Sequence, residues 1–226
     1  MPGVVSRPVR VAIDGPGGAG KTSVARAVAD ALGVECLDTG AMYRAVAAAV
    51  LRRGVDPADG EAVAAVARQV VDGIEVAGNV TRLEGIDVSE EIRGAAVTES
   101  VSTVAANPDV RAVMVARQQA WAADRPGCVM EGRDITTVVL PEADVRVYLY
   151  AEAAVRARRR SGESGASEAA VQAALRERDH RDSTRAHAPL QRVAGVREID
   201  TTDRSVGEVV EEIMQMIEGL PGSDRP

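Results

Sequence analysis

The chain of 226 residues has no phenylalanine, one tryptophan and three tyrosines. Its core must therefore be built from aliphatic side chains, which dominate the 46% of residues that are hydrophobic. Proteins that bind single-stranded nucleic acid generally stack the bases on several aromatic rings. The shortage of such rings, together with a formal net charge of −7, argues against nucleic acid as a partner.

Cysteine, histidine and long apolar runs are also scarce. Cys36 and Cys128 form no C-x-x-C pair and have no histidine at metal-ligand spacing, so the sequence predicts neither a zinc site nor a disulfide framework. Apolar runs stay well below the roughly 18 residues of a membrane span, and Arg7 and Arg10 interrupt the N-terminus before a signal-peptide core. We therefore expect a cytoplasmic protein with no membrane partner, and we expect a monomer.

Short apolar runs alternate with helical patterns along the chain. Strands are predicted at residues 9–13, 34–37, 127–130, 145–150 and 196–199. Helices are predicted between them, at about 21–32 and from 39 to about 53, and after them at about 205–218. Buried strands that alternate with helices are typical of a parallel sheet covered on both faces. The sequence thus predicts an α/β fold with a five-stranded parallel sheet and helices on both faces.

Residues 15 to 22 read Gly-Pro-Gly-Gly-Ala-Gly-Lys-Thr and match the phosphate-loop pattern G-x-x-x-x-G-K-[ST] in full. Glycines let such a loop curl so that its N–H groups and the next helix N-terminus cradle phosphate oxygens. Lys21, the only lysine of the chain, is expected to reach the β- and γ-phosphates, and Thr22 to bind Mg²⁺. The predicted ATP-binding residues are Gly15, Pro16, Gly17, Gly18, Ala19, Gly20, Lys21, Thr22 and Ser23.

The loop predicts a fold of the P-loop NTPase type but leaves several functions open. A guanine-binding N-K-x-D box is excluded because the chain has no second lysine, which removes the usual GTPase class. A large ATPase is expected to show an apolar run that ends in paired acids, and the sequence has none. Kinases and inert nucleotide-binding proteins remain.

Arginines follow several of the predicted strands, at the sheet edge where open parallel sheets bind ligands. Converging guanidinium groups suit a second phosphate, because arginine binds phosphate oxygens bidentately and offsets the repulsion between two polyanions. The residues at these positions are Thr39, Tyr43, Arg44, Arg133, Asp134, Arg178, Arg181, Asp182 and Arg185. The alternative is that each arginine only lies on a solvated helix face beside an acid.

A further arginine group predicts a lid. Arg156, Arg158, Arg159 and Arg160 precede the segment Ser161-Gly162-Glu163-Ser164-Gly165, which is expected to be an irregular, mobile tip. Closure of this lid, residues 156–185, would bring one or two arginines onto the transferring group and expel water.

The domain prediction is a single kinase domain over 1–226. Its core comprises 1–59, 106–155 and 186–220. An inserted lobe at about 60–105 contains a hairpin, because residues 74–76 and 80–83 alternate around a turn. The tail at 221–226 is expected to be flexible.

Several motifs, in order along nearly the whole chain, resemble the bacterial cytidylate kinases. Beyond the phosphate loop, the segments that carry the resemblance are Leu37-Asp38-Thr39-Gly40-Ala41-Met42-Tyr43-Arg44, Asp87-Val88-Ser89-Glu90-Glu91-Ile92-Arg93, Glu131-Gly132-Arg133-Asp134 and Arg178-Asp179-His180-Arg181-Asp182-Ser183-Thr184-Arg185. The resemblance implies transfer of phosphate from ATP to CMP or dCMP with Mg²⁺. It also implies a nucleoside monophosphate kinase fold, in which the inserted lobe binds the monophosphate.

The resemblance also implies roles for individual residues. Cytosine would be read by Ser102, Arg111 and Asp134, and the acceptor phosphate would be held by Tyr43, Arg44, Arg133 and Arg185. The sugar side would be contacted by Arg178 and Asp182, with Thr39 beside them, and Arg156 and Arg159 would be lid residues. The residues assigned to catalysis are Lys21, Arg133, Arg156, Arg159 and Arg185.

One position departs from the resemblance. Where the family commonly reads Gly-Arg-Asp, then Ile or Met, then Gly-Thr, this chain has Ile135-Thr136-Thr137. Thr136 is tolerated if its dihedral angles are ordinary and otherwise reshapes the pocket. An alternative function is therefore a kinase for a modified cytidylate or another small phosphorylated metabolite. An alternative of another class is a non-catalytic nucleotide-binding regulator, against which the arginines and Lys21 count.

Overall fold

Strands and helices alternate along the chain in a computed structural model that describes residues 8–164 and 167–221. Within these residues the strands are β1 (Arg10–Asp14), β2 (Glu35–Asp38), β3 (Ile74–Ala77), β4 (Val80–Leu83), β5 (Ile86–Asp87), β6 (Cys128–Gly132), β7 (Val145–Tyr150) and β8 (Arg197–Asp200). The helices are α1 (Lys21–Leu32), α2 (Thr39–Arg52), α3 (Gly60–Val70), α4 (Ala95–Ala106), α5 (Pro108–Ala123), α6 (Ala153–Ser164), α7 (Glu168–Thr184) and α8 (Val206–Glu218).

Five of these strands form one parallel sheet in the order β2-β6-β1-β7-β8. The central strand β1 pairs in parallel with both neighbours, so that Asp14 lies beside Gly132 on β6 and beside Tyr148 on β7. Strand β8 continues the sheet beyond β7. The predicted fold class, a parallel sheet flanked by helices, is confirmed.

Helices α1 and α8 pack on this sheet through aliphatic side chains. Val28 of α1 and Ile213 of α8 are fully buried in one apolar cluster with Ile13 and Leu149 of the sheet. Burial of such a side chain is worth about 1.5–3 kcal/mol. Helix α1 ends at Gly33, whose φ of 65° closes the helix in the left-handed conformation. The phosphate loop is thus anchored between a central strand and a buried helix.

Contacts divide the chain into two compact units, one of residues 1–36 with 125–226 and one of residues 37–124. The second unit contains α2 to α5 and an antiparallel sheet in the order β3-β4-β5. The predicted hairpin is confirmed as β3 and β4, with Ala77 paired to Val80 across the turn. Helix α2 is buried over the whole run from Ala45 to Val50, as expected of a helix that is apolar on every side. The boundaries of the inserted lobe at 60–105 and of the lid at 156–185 stay predictions.

Two local predictions need correction. The strand predicted at 127–130 extends through Glu131 and Gly132, because those residues continue the pairing with β1. The irregular tip predicted from Ser161 is wrong over its first residues, since α6 continues to Ser164. Helix α6 packs against α7, and such packing outweighs the low helix propensity of serine and glycine. Gly165 of the predicted tip and most of the predicted tail, 222–226, lie outside the described residues. Among the residues that are described, no helix is long and apolar enough to span a membrane.

Candidate functional site: a phosphate loop and its arginines

The phosphate loop joins β1 to α1 and curls around the side chain of Lys21. Gly15 has a φ of 149°, and a Cβ at this residue would lie 2.0 Å from the carbonyl oxygen of Leu149. Only glycine fits there. The Nζ atom of Lys21 donates to the carbonyl oxygen of Pro16 at 3.1 Å, and the lysine is 6% exposed. The amine is therefore held inside the curve of the loop, where a bound phosphate would meet it.

Glu131, at the end of β6, lies against the first turn of α1. The hydroxyl group of Thr22 donates to Glu131 Oε1 at 2.6 Å, and Lys21 Nζ lies 3.9 Å from Glu131 Oε2. Both side chains of the Lys21–Glu131 pair are buried. A hydroxyl and a carboxylate oxygen in contact are the hard donors that Mg²⁺ prefers. The residues present therefore fit a magnesium site at Thr22 and Glu131.

Arg133 links the phosphate loop to α7. Its Nε atom donates to Asp182 Oδ2 at 2.9 Å, and a Cβ at Gly17 would lie 3.7 Å from its Nη2 atom. Burial alone would lower the pKa of Arg133, but the carboxylates of Asp182, Glu131 and Asp179 raise it above its usual value. The guanidinium is therefore a permanent cation next to Gly17.

Asp182 lies among three arginines. Burial tends to raise its pKa, but Arg133, Arg178 and Arg185 together hold that pKa below the ordinary value. Arg178 Nε lies 3.9 Å from Asp182 Oδ2. Arg185 approaches a second acid, with its Nη2 atom 3.8 Å from Asp134 Oδ1 in a pair of buried side chains. The structure thus brings the predicted residues Arg133, Asp134, Arg178, Asp182 and Arg185 into one cluster.

The two predicted lid arginines, Arg156 and Arg159, bind different parts of the structure around the phosphate loop. Arg156 donates from Nη1 to the carbonyl oxygen of Gly17 at 3.1 Å and to Asp179 Oδ2 at 2.6 Å. Arg159 donates from Nη2 to the carbonyl oxygen of Thr201 at 2.6 Å. The hydroxyl group of Thr201 in turn donates to the carbonyl oxygen of Ala19 at 3.1 Å. Arg156 contacts the phosphate loop directly, whereas Arg159 reaches it through Thr201.

Thr136, the residue that departs from the family pattern, binds the carboxylate of Asp14. Its N–H and its hydroxyl group both donate to Asp14 Oδ2 at 2.7 Å, and the N–H of Ile135 donates to Asp14 Oδ1 at 2.9 Å. Burial raises the pKa of Asp14, these hydrogen bonds lower it, and the charge of Asp134 adds to the rise. Among the described non-glycine residues only Glu84 and Ala188 have positive φ. Thr136 therefore does not adopt the left-handed conformation that would favour glycine at this position.

The remaining predicted acceptor residues belong to the second unit, 37–124. Thr39 opens α2 and is 3% exposed. Arg44 donates from Nη1 to the carbonyl oxygen of Ile92 at 2.7 Å and to Thr98 Oγ1 at 2.9 Å. The guanidinium of Arg111 lies 5.8 Å from the centre of the Tyr43 ring, within the range of a cation–π contact. Ser102 is partly exposed on α4. Within this unit Arg44 is held by Ile92 and by Thr98 of α4, and Arg111 of α5 lies against Tyr43 of α2.

The sequence analysis missed three acidic side chains as members of the site. Glu131 directly follows the apolar run predicted at 127–130, and an acid at that position was a usable signal. Asp14 also ends an apolar strand, directly before Gly15. Asp179 lies in a segment that carries the resemblance, but it received no role, because its position beside Arg178 also fits one charge on a solvated helix face.

The central strand of the parallel sheet leads into a phosphate loop that carries Lys21, and two arginines, Arg133 and Arg156, lie near Gly17 of this loop. These features define the class of P-loop phosphotransferases. The solved structure of a gluconokinase from Sinorhizobium meliloti supports the fold alone, with a TM-score of 0.51, 14% sequence identity and coverage of 93% of this chain and 91% of that chain.

The sequence comparisons identify the family. A family model for cytidylate kinase matches residues 11–219. A cytidylate kinase of Nocardia farcinica is 46% identical over 217 residues, which are 93% of this chain and 94% of that protein. A cytidylate kinase of Rhodococcus opacus is 46% identical over 219 residues, with coverage of 94% and 96%. The chain belongs to the cytidylate kinase family.

Proposed function

We propose that the protein transfers the γ-phosphoryl group of ATP to CMP and dCMP, giving ADP and CDP or dCDP. The observation that carries the proposal is the convergence on Gly17 of two arginines from different elements. Arg156 donates to the carbonyl oxygen of Gly17 at 3.1 Å, and Arg133 Nη2 would lie 3.7 Å from a Cβ there. Membership of the cytidylate kinase family supports the identity of the acceptor.

The chemistry asks for charge neutralisation and positioning more than for proton transfer. The second pKa of a phosphate monoester is about 6, so the acceptor is already a dianion at neutral pH. No side chain has to act as a general base. The barrier is lowered by cations fixed around the charge that spreads over the equatorial oxygens in the transition state.

Lys21 and the phosphate loop bind the donor. The lysine is already fixed by Pro16 and Glu131, so little side-chain freedom is lost when the β- and γ-phosphates arrive. Thr22 and Glu131 are the residues that would hold Mg²⁺, which would offset the charge of the phosphates. Arg133 and Arg156 bring their charges to Gly17 from outside the loop, toward the group in transfer.

The roles of the acceptor residues are those that the resemblance to the cytidylate kinases implies, taken one unit at a time. Within residues 1–36 and 125–226, Asp134 would accept a hydrogen bond from the exocyclic amine of cytosine, which uracil lacks. Arg185 would hold the acceptor phosphate, and Arg178 and Asp182 would contact the sugar side. In the unit 37–124, the resemblance assigns Tyr43 and Arg44 to phosphate binding, with Thr39 beside them, and Ser102 and Arg111 to base binding. Thr136 is the residue that suggested a modified acceptor as an alternative. Its hydroxyl group donates to Asp14, so its hydrogen atom is bound within the protein.

The test is ADP release from ATP and Mg²⁺ with CMP, dCMP, UMP and AMP offered separately at equal concentration. The expected result is strong turnover with CMP and dCMP only. The variant Lys21→Ala is expected to lose about 10²–10³-fold in kcat, the usual loss when one fixed charge-stabilising donor is removed, measured at a temperature where its unfolding curve shows that it is folded.

Arg26→Ala is the matched control. Arg26 is a long cationic side chain on the same helix, partly buried and outside the phosphate loop, so its removal should leave kcat close to the wild-type value. Binding of ATP without turnover of any acceptor would refute the proposal and leave a nucleotide-binding regulator. Unchanged turnover of Lys21→Ala would refute the role of the lysine.

A further inference from the structure

Thr136 donates two hydrogen bonds, from its N–H and from its hydroxyl group, to one buried carboxylate. Its N–H and its hydroxyl group lie 2.7 Å from Asp14 Oδ2, and Thr136 and Asp14 are each 1% exposed. The N–H of Ile135 supplies the third bond, to the other carboxylate oxygen. Hydrogen bonds to a charged acceptor are the strong ones, so the segment that begins at Ile135 is tied to the end of β1.

Asp14 is the fixed partner in this contact. It is the last residue of the central strand and is paired with Gly132 on one side and Tyr148 on the other. The next residue, Gly15, is so close to Leu149 that a Cβ would lie 2.0 Å from the carbonyl oxygen. Pairing on both sides and the close approach of Gly15 to Leu149 hold Asp14 within the sheet. The hydrogen bonds therefore hold the Thr136 segment to the sheet.

The segment held in this way carries Asp134. A π-helical turn spans Ile135–Val139 and begins directly after Asp134, whose carbonyl oxygen accepts from the N–H of Val138 at 2.9 Å. Asp134 itself has φ −145° and ψ 23°, outside the regular regions. The backbone of Asp134 therefore runs directly into the turn that is hydrogen-bonded to Asp14.

We propose that Thr136 is a positioning residue for base selection: its hydroxyl bond to Asp14 fixes the turn that aims the carboxylate of Asp134. The inference rests on the proposed function, because Asp134 is assigned there to the exocyclic amine of cytosine. Thr136 touches no reacting atom. Its effect should appear as selectivity between bases and not as loss of the donor site.

The test compares Thr136→Val, which keeps the shape and removes the hydroxyl, with Thr136→Ser, which keeps the hydroxyl and removes a methyl group. The readout is kcat/KM for CMP divided by kcat/KM for UMP, measured in ATP-dependent ADP release. The ratio is expected to fall about tenfold or more in Thr136→Val, because a displacement of about 1 Å can cost 10²-fold. Thr136→Ser should restore the wild-type ratio. The KM for ATP should stay within about twofold in both variants, since the loop is held by the strand and not by Thr136.

Asp134→Ala serves as the reference, because it gives the ratio of kcat/KM for CMP to kcat/KM for UMP when the base-reading carboxylate is missing. If Thr136→Val lowers the urea midpoint but leaves the ratio unchanged, the role is structural only and the inference is overturned. Equal ratios in Thr136→Val and Thr136→Ser overturn it as well. If Thr136→Val does not fold, Thr136→Ala, which also lacks the hydroxyl, takes its place under the same criteria.

The two proposals fail in different ways. A wild-type protein that is selective for CMP, with selectivity kept in Asp134→Ala, overturns this inference and leaves the proposed function standing. A wild-type protein that turns over neither nucleotide refutes the proposed function and this inference with it.

Discussion

Removing the charge of Asp182 tests whether the arginine cluster depends on a buried carboxylate. Asp182 is 7% exposed and accepts from Arg133 Nε at 2.9 Å, while Arg178 Nε lies 3.9 Å away. The variant Asp182→Asn keeps the size of the side chain and removes its charge. The three cations Arg133, Arg178 and Arg185 would then repel one another, because the carboxylate that lowers this repulsion would be missing.

The size of the effect follows from burial. Breaking a buried ion pair by removing one partner costs about 3–5 kcal/mol. The side chains of Arg133 and Asp182 are 16% and 9% exposed, so the lower end of that range, about 3 kcal/mol, is expected. For a chain of this length each kcal/mol lowers Tm by about 2–4 °C. We therefore expect Asp182→Asn to unfold about 6–12 °C below the wild type.

Thermal unfolding without nucleotide measures this loss, and Glu198→Gln is the matched control. Glu198 pairs with Arg192 at 2.7 Å, but these side chains are 42% and 50% exposed, and an exposed pair contributes about 0.2–1 kcal/mol. A loss in Asp182→Asn no larger than that in Glu198→Gln would refute the reasoning.

The pH dependence of the same variant has a definite sign. The folded pKa of Asp182 is held below its ordinary value of 3.8, so its contribution to stability is fully present above that pH. The contribution is lost as the pH falls through the folded pKa. The difference in Tm between the wild type and Asp182→Asn should therefore be constant near neutral pH and shrink below about pH 4.

Two further predictions concern the donor site. Glu131→Gln removes the charge of a carboxylate that accepts a hydrogen bond from Thr22. It should raise the Mg²⁺ concentration for half-maximal ADP release by about 10–100-fold. An unchanged midpoint in a Mg²⁺ titration would exclude Glu131 from the metal site. Gly15→Ala places a Cβ 2.0 Å from a backbone oxygen and should abolish ATP binding in calorimetry and lower Tm. Gly54→Ala, with φ 66° and open space around the Cβ, should cost only about 1–2 kcal/mol, and equal losses in the two variants would contradict the steric argument.

The elements that the sequence predicted well are those set by local chemistry. The phosphate loop was readable because its glycines and Lys21 are consecutive, and α1 was predicted at the bounds Lys21–Leu32 that the structure shows. Strand β7 was also predicted at its observed bounds, Val145–Tyr150, since it is a continuous apolar run. The parallel sheet followed from the alternation of such runs with helices.

The contacts that position the site could not be predicted in this way. The hydroxyl of Thr136 binds Asp14 across 122 positions of sequence, and Arg133 binds Asp182 across 49. Spacing along the chain does not say which arginine of a helix turns toward which acid. Arg178 and Asp182 were predicted as site residues, but their i, i+4 spacing fits a solvated pair equally well. Only the structure shows that Arg133 binds the same carboxylate.

The distribution of charge explains how an acidic protein keeps an anion site. Each of four site cations lies beside its own carboxylate, and these pairs are Lys21–Glu131, Arg133–Asp182, Arg156–Asp179 and Arg185–Asp134. Without nucleotide, the paired acids reduce the repulsion among cations that are crowded and poorly solvated. The same pairs fix the direction of each cation before substrate arrives, so binding a phosphate costs little ordering. A net charge of −7 is thus compatible with a phosphate site, because the acids within the site hold the cations in place for a ligand that carries more charge than they do.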